Sequence, residues 1–323
     1  MCTAITLKTK DFYFGRTLDN DFSYGEEVVI TPRSFIEFRS LNGLKNRFAI
    51  IGTAFVKNNY PLYYDAVNEK GLCMAGLNFV GNAHYNAVKE GKSNVAQFEF
   101  ISYILGNCTC VSEAVEEIKK INLTNESYCE GLPPAELHWI IADRESAVTV
   151  EFVLDGLKIY KNRVGVLTNN PPFEQQVFNL NNYMRLSASE INNTFSKKLR
   201  LKSYSRGMGA LGLPGDLSSQ SRFVRAAFFS LNSVSGDSEE ESVNRFFHIL
   251  GTVAQPRGAC KVGKNGYEIT VYSSCCNADK GVYYYISYGN HRISAVDMHR
   301  CDLDGDKLFR TCVNSGEDIL FIN

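Results

Sequence analysis

No stretch of this chain stays apolar for long. The longest strongly apolar run among its 323 residues, Phe48 to Val56, falls far short of the roughly 20 residues a membrane-spanning helix needs, so no membrane partner is expected. Neither sign of charge prevails. With 34 basic residues against 35 acidic ones there is no field to gather a polyanion, and nucleic acid is not expected as a partner. The chain opens without the basic segment and apolar core of a secretory leader. Its ten cysteines therefore read as reduced thiols of a cytoplasmic protein, and the sequons at Asn122, Asn125 and Asn192 carry little weight. Metal-site spacing is missing too: Cys275-Cys276 and Cys108-Thr109-Cys110 lack the two-residue gaps and the matched second pair. Asp302-Leu303-Asp304-Gly305-Asp306 looks like a calcium loop, but its glycine is misplaced and Val313 stands where a bidentate Glu belongs. No metal or other cofactor is expected. The five histidines are scattered, and none stands in a nucleophile motif. Without an internal repeat, a low-complexity tract or a clear linker, residues 1–323 read as a single domain.

What is present concentrates at the start, in MCTAITLKTKDFYFGRTLD. Cys2 follows Met1 and precedes small residues, the context in which an aminopeptidase trims the initiator, leaving a thiol and a free α-amine on one residue. An α-amine ordinarily titrates at about 7.7–8.0 and a thiol at about 8.5, so the amine can take the thiol's proton near neutrality and pass it on. One residue then serves as nucleophile and base. Residues 3–9 alternate like a half-buried strand, Thr9-Lys10-Asp11 reads as a turn, and Phe12-Tyr13-Phe14 begins a return strand. That hairpin brings Arg16 and Asp19 toward Cys2, a cation to lower the thiol pKa and a carboxylate to fix the ammonium.

Further strands are expected at Glu27 to Thr31, Phe35 to Phe38 and Phe48 to Phe55. A hairpin then turns at Asn68-Glu69-Lys70-Gly71 into the apolar limb Leu72 to Asn78. Two helical stripes come next, Phe98, Ile101 and Leu105, then Val111, Val115 and Ile118. An antiparallel meander runs from Leu137 to Tyr160, with Asp155-Gly156 as a hairpin turn. Val164 to Leu167 is apolar and ends in Thr168-Asn169-Asn170-Pro171-Pro172, where the prolines stop the ladder. Residues 174–186 read as helical. A helix capped by Ser218, Ser219 or Ser221 presents Val224, Ala227, Phe228 and Leu231 on one face, and Val243 to Leu250 forms another. The last third is β again. Strands, helices, strands, helices and strands, with hairpins throughout, predict an α+β fold: two stacked antiparallel sheets with helices outside each, a four-layer αββα sandwich.

Asn78 and Asn169 each end an apolar strand, where an unpartnered amide is costly. Singly each reads as a strand cap; as a pair they can supply oxyanion donors, a contribution on the order of 3 kcal/mol to a barrier. Arg222 stands at a helix start, the unfavourable end for a cation, and is either a surface charge or one turned toward a site. His138, beside the only Trp, reads as a satisfied sheet residue. A cysteine nucleophile without a histidine needs another base, and the Cys2 α-amine is the one available.

The segments MCTAITLKTKDFYFGRTLD, NEKGLCMAGLNF, LHWIIAD, GVLTNNP, LGLPGD with SSQSRFVRA, FFHIL and YEITVYSSCCNADKGVYYY closely resemble the bile salt hydrolases of the choloylglycine hydrolase family, from the first residue to beyond residue 300. The resemblance implies an N-terminal-nucleophile (Ntn) hydrolase with the αββα sandwich, cleaving the amide of glycine- or taurine-conjugated bile salts without a cofactor. It also implies a cytoplasmic homotetramer from a gut bacterium. Carried over by position, the nucleophile falls on Cys2, with Arg16 near the thiol and Asp19 holding the amine. Asn78 and Asn169 take the oxyanion region, and Arg222 the charge network. Asn78 favours bile salts, because the similar penicillin V acylases typically carry Tyr at that position. The alternatives are an acylase for penicillin V or N-acyl-homoserine lactones, a non-catalytic bile- or lipid-binding protein on the same scaffold and, lacking a C-x-x-C pair, a thiol redox protein.

Overall fold

The opening hairpin forms as its pattern predicts: Cys2–Lys8 and Phe12–Asn20 run antiparallel, with Cys2 opposite Leu18 and Ala4 opposite Arg16. In the computed structural model, which describes residues 1–41 and 43–323, both strands are buried on both faces along most of their length rather than half-buried. The reason is their position. The hairpin lies inside an antiparallel sheet, between Val166–Leu167 on one side and Ile269–Asn277 on the other, and beyond the latter come Val282–Ser287 and Asn290–Asp297.

The second sheet has eight antiparallel strands. From one edge to the other they are Gly156–Lys161, Ala147–Val153, Leu137–Ala142, Cys73–Asn78, Tyr60–Asn68, Ile50–Lys57, Glu27–Thr31 and Phe309–Cys312. Helices Phe100–Asn107 and Val111–Ile118 cover its outer face, where Ile104, Leu105 and Ile118 share a core with Val29, Ile50, Met74 and Trp139. Helices Ser219–Asn232 and Glu239–Gly251 cover the first sheet, and Phe223, Ala227 and Phe246 share one core with Leu18 and with Ile51, Val67 and Ala75 of the second. The result is the four-layer αββα sandwich. Ser218 caps the Ser219–Asn232 helix by accepting from the Ser221 N–H at 3.3 Å, and Ser238 with Glu241 forms a capping box on the next, each worth about 1 kcal/mol.

Two local expectations change, and one strand goes unforeseen. Phe35 to Phe38 makes an isolated bridge, Glu37 to Lys45, rather than a strand of a sheet: main-chain bonds Asn46 N to Ile36 O and Phe38 N to Leu44 O close a short local loop, and the buried Asn46 side chain adds to them, its Oδ1 accepting from Ile36 N and its Nδ2 donating to Pro32 O, both at 2.7 Å. Leu231 is exposed, since the Ser219–Asn232 helix buries its N-terminal half, Ser221 to Ala227, and projects the rest. The edge strand Phe309–Cys312, paired to Glu27–Thr31, is too short and polar to stand out in the sequence.

Bulges interrupt two of the inner ladders. Thr53 pairs with Asp65 but Ala54 with Tyr63, leaving Tyr64 as an extra residue; Thr270 pairs with Asp19 but Tyr272 with Leu18, leaving Val271. A bulge frees main-chain groups from the ladder and re-aims side chains. Gly15 is required where the first sheet is tightest, since a Cβ there would meet Ser274 O at 2.0 Å.

Candidate active site

Cys2 heads the first strand and is 2% exposed. Its N–H donates to Asn169 Oδ1 at 2.7 Å, and its carbonyl accepts from Arg222 Nη1 at 2.5 Å. Met1 extends the strand: Asp19 N donates to Met1 O at 2.8 Å, while the Met1 ammonium bonds Asp19 O at 2.7 Å and pairs with the buried carboxylate of Glu268. The sequence offers no sign of that Glu268 partnership.

Arg222 is fully buried in the first turn of its helix, so it is a charge turned inward. Besides Cys2 O it reaches Thr3 Oγ1 at 2.6 Å and Asn169 Oδ1 at 2.9 Å, and it lies 3.9 Å from Asp19 Oδ2. Burial weakens its hold on its proton, against the opposing pull of Asp19 and Cys2. Asp19 accepts from Thr270 Oγ1 at 2.7 Å and Thr17 Oγ1 at 3.2 Å. Burial raises its pKa, countered first by Arg222 and then by the N-terminal ammonium. The resemblance gives Asp19 the amine; with Met1 in place the Cys2 nitrogen instead bonds Asn169, and Asp19 acts on the N-terminus through charge and its main chain.

Arg16 crosses from the first sheet to the second. Its Nε donates to Thr17 O at 3.1 Å, and its Nη1 donates to Gly76 O at 2.5 Å and to Tyr64 O, the bulge carbonyl, at 3.2 Å. Nη2 is buried without a partner among the described residues. Burial works against its charge, but Cys2, then Tyr272, Asp65 and Asp19, more than offset this and hold the guanidinium above its ordinary value. Arg16 and Cys2 therefore share one electrostatic environment.

The two asparagines differ. Asn169 is buried, donates from Nδ2 to Asn78 O at 2.9 Å and takes its main-chain N–H to Ser219 Oγ at 2.8 Å. Asn78 ends its strand with its side chain exposed, so the structure brings the pair together through a main-chain carbonyl and leaves one amide open to solvent. Gln176 supports the turn after Asn169, donating to Asn169 O at 3.2 Å and Ser219 Oγ at 3.1 Å. Thr17, Gln176 and Thr270 carried no sequence signal, since hydroxyls and amides at these spacings are common everywhere, and Ser219 stood out only as a possible helix cap.

The residues set aside on sequence grounds lie elsewhere. His138 is fully buried, stacks on Phe79 at 4.3 Å, and has Nε2 2.7 Å from Thr168 O and Nδ1 3.0 Å from Glu151 Oε1, a satisfied sheet residue. Burial drives the thiols of Cys275 and Cys276 well above their usual range. Asp304 pairs with Arg33.

A sandwich of this kind, with the chain's second residue at the centre of its buried charges, defines the class of N-terminal-nucleophile hydrolases. Residues 2–311 match the family described as linear amide C–N hydrolases, choloylglycine hydrolase family, and the chain belongs to it. It is 52% identical over 324 residues to the bile salt hydrolase/transferase of Lactiplantibacillus plantarum, covering 100% of both chains. Identity to the bile salt hydrolase/transferase of Clostridium perfringens is 35%, over 95% of each chain. The solved C2A mutant of the conjugated bile acid hydrolase from Clostridium perfringens superimposes with a TM-score of 0.92 at 34% identity, covering 100% of both chains. Penicillin V acylase from Agrobacterium tumefaciens shares the fold, with a TM-score of 0.77 at 18% identity over 98% of this chain and 95% of that one.

Proposed function

We propose that this hydrolase cleaves glycine- or taurine-conjugated bile salts to free bile acid and the amino acid, with Cys2 as nucleophile once Met1 is removed. The observation that carries the reading is the 2.7 Å bond from the Cys2 nitrogen to Asn169 Oδ1 amid buried Arg16, Asp19 and Arg222. Trimming Met1 leaves the new amine already held beside its own thiol. The amine takes the thiol proton, the sulfur attacks the amide carbonyl, and the oxyanion receives the remaining Nδ2 hydrogen of Asn169 and the open amide of Asn78. The protonated amine then hands its proton to the departing nitrogen, the C–N bond breaks, and a thioester remains. Water gives a proton to the same amine and attacks the thioester, the C–S bond breaks, the ammonium returns the proton to the sulfur, and the bile acid leaves as its carboxylate, its own proton passing to solvent. The bile salt names of the relatives support the substrate.

A steroid needs an apolar wall with few polar contacts. Phe22, Tyr24 and Phe55 cluster with ring centroids 4.5 Å and 6.4 Å apart. Phe22 and Tyr24 are exposed just beyond the end of the Phe12–Asn20 strand, which carries Arg16 and Asp19, so this group is the best candidate for the wall. The homotetramer reading draws support from the segment Phe178 to Leu211, which leaves Phe178, Met184, Phe195, Tyr204 and Leu211 more than half exposed. The one-domain reading of residues 1–323 draws support from Phe309–Cys312, which closes the sheet begun by Glu27–Thr31. Ten unpaired thiols fit a cytoplasmic setting, and among the described residues no helix is long and apolar enough to cross a membrane.

The test is to mix the purified protein with a taurine-conjugated bile salt and measure free taurine. Release is expected; none, with Met1 shown absent by intact mass, rejects the assignment. Faster turnover of phenoxyacetyl amides would favour a penicillin V acylase. Ligand affinity without turnover would favour a binding protein.

A further inference from the structure

We propose that Asp65, on the sheet opposite Cys2, is a positioning residue: the counter-charge that fixes Arg16 in place and offsets its positive field at the nucleophile. The proposal rests on the assignment of Cys2 as nucleophile for its bearing on turnover, and nothing in that mechanism uses this carboxylate.

Asp65 is 1% exposed, and an isolated ion at such depth costs several kcal/mol unless bonded and paired. It is bonded on both oxygens. Tyr272 OH donates to Oδ1 at 2.5 Å, while Ser274 Oγ at 3.0 Å and Tyr283 OH at 2.6 Å donate to Oδ2. Three hydroxyl donors and no acceptor on the pair of oxygens is the pattern that favours a carboxylate. All three come from the first sheet while Asp65 belongs to the second, so the carboxylate ties the two sheets together. Tyr283 OH also bonds Thr53 Oγ1 at 2.7 Å, on the strand that faces Asp65 across the bulge.

The same knot holds Arg16 from two sides. Ser274 Oγ, which donates to Asp65, accepts the Arg16 main-chain N–H at 3.1 Å. The bulge that sets Asp65 in its place exposes Tyr64 O, which accepts from Arg16 Nη1. With Nε and Nη1 occupied, the buried Nη2 is the donor left over in the environment shared with Cys2. Burial pushes the Asp65 carboxyl up, and Arg16 is the foremost influence pulling it back, ahead of the three hydroxyls. The groups facing Asp65 are Arg16, Tyr272, Tyr283, Ser274 and Cys276; Cys2 is coupled to Arg16 and Arg222, and those two arginines and the N-terminal charge act in turn on Asp19, with Glu268 beyond. Two arginines against two aspartates leave the cluster near balance. Without the Asp65 charge, one positive charge in the buried environment that Arg16 shares with Cys2 is uncompensated, and the thiolate forms at lower pH.

The experiment tracks alkylation of Cys2 by iodoacetamide against pH, read as mass of the N-terminal peptide, in protein lacking Met1 and without any substrate. In folded Asp65→Asn the half-maximal pH should fall by about one unit. An unchanged midpoint overturns the proposal. Glu27→Gln, at a carboxylate on the outer part of the same sheet, should leave the midpoint in place, and an equal fall there also overturns it. If Asp65→Asn does not fold, Tyr272→Phe and Ser274→Ala carry the test. Each strips one donor from Asp65, eases its protonation and should move the midpoint down by less, and no movement in either counts against the role. Because no bile salt is used, a failed substrate assignment leaves this result standing. Intact hydrolysis with an unmoved midpoint removes only the Asp65 role.

Discussion

The floor and the rim of the site are built on opposite plans. On the floor Cys2, Arg16, Asp19, Asn169 and Arg222 are all buried, and Cys2, Asn169, Arg222 and Asp19 are linked by hydrogen bonds and an ion pair, so each of these four helps to fix the next. On the rim Asn78 is exposed, and Val80, Phe22 and Tyr24 are 60%, 49% and 47% exposed. A buried charge cluster tolerates little change, because removing one partner strands the other in a low-dielectric interior. Exposed apolar side chains can be exchanged one at a time. On the function proposed above, the chemistry belongs to the floor and the choice of acyl group to the rim.

This division is most vulnerable at the sulfur. Cys2→Ser should lose nearly all taurine release, whereas Cys312→Ser, at an exposed thiol, should lose none; equal loss in both would show that the floor is not special. Asn169→Ala removes the acceptor for the Cys2 nitrogen and the proposed oxyanion donor, and should lower kcat by about 100- to 1,000-fold with little change in KM. Arg222→Met leaves Asp19 and Asn169 Oδ1 short of their buried cation, so it should destabilise the fold by about 3–5 kcal/mol, measured by urea unfolding.

On the rim the expected effects shrink and change kind. Asn78→Tyr should lower the ratio of rates on bile conjugates to phenoxyacetyl amides by about tenfold while leaving the fold intact, and an unaltered ratio would deny the rim its selective role. The smallest effect lies below the Arg222 helix. Ser218 and Ser221 hold the Asp216 carboxyl at about 2, under its ordinary 3.8. Its depressed pKa contributes stability that is present above 3.8 and lost as pH falls through about 2. Asp216 is exposed, so screening leaves the contribution well under about 1 kcal/mol, and Asp216→Asn should only flatten the acid limb of the stability curve.

The hairpin, the meander, the helices and the sandwich were legible because hydrophobic period and turn residues are local signals. Arg222 showed itself by standing at the wrong end of a helix. The resemblance then joined it to Cys2, Arg16, Asp19, Asn78 and Asn169. What stayed hidden was pairing across the chain. Nothing local announces that Thr270 meets Asp19, that Glu268 meets Met1, or that a bulge at Tyr64 turns a carbonyl toward Arg16. Asn46, whose buried side chain ties Ile36 to Pro32, reads in sequence as an ordinary loop amide.

Trapping the intermediate puts the role of Cys2 to its plainest trial. Quenching the trimmed enzyme with acid during turnover of a conjugated bile salt, then mapping peptides by mass, should find the bile acyl group on the peptide that begins at Cys2. An acyl group on any other residue, or sustained turnover with the Cys2 sulfur replaced, would show that the thiol is not the nucleophile.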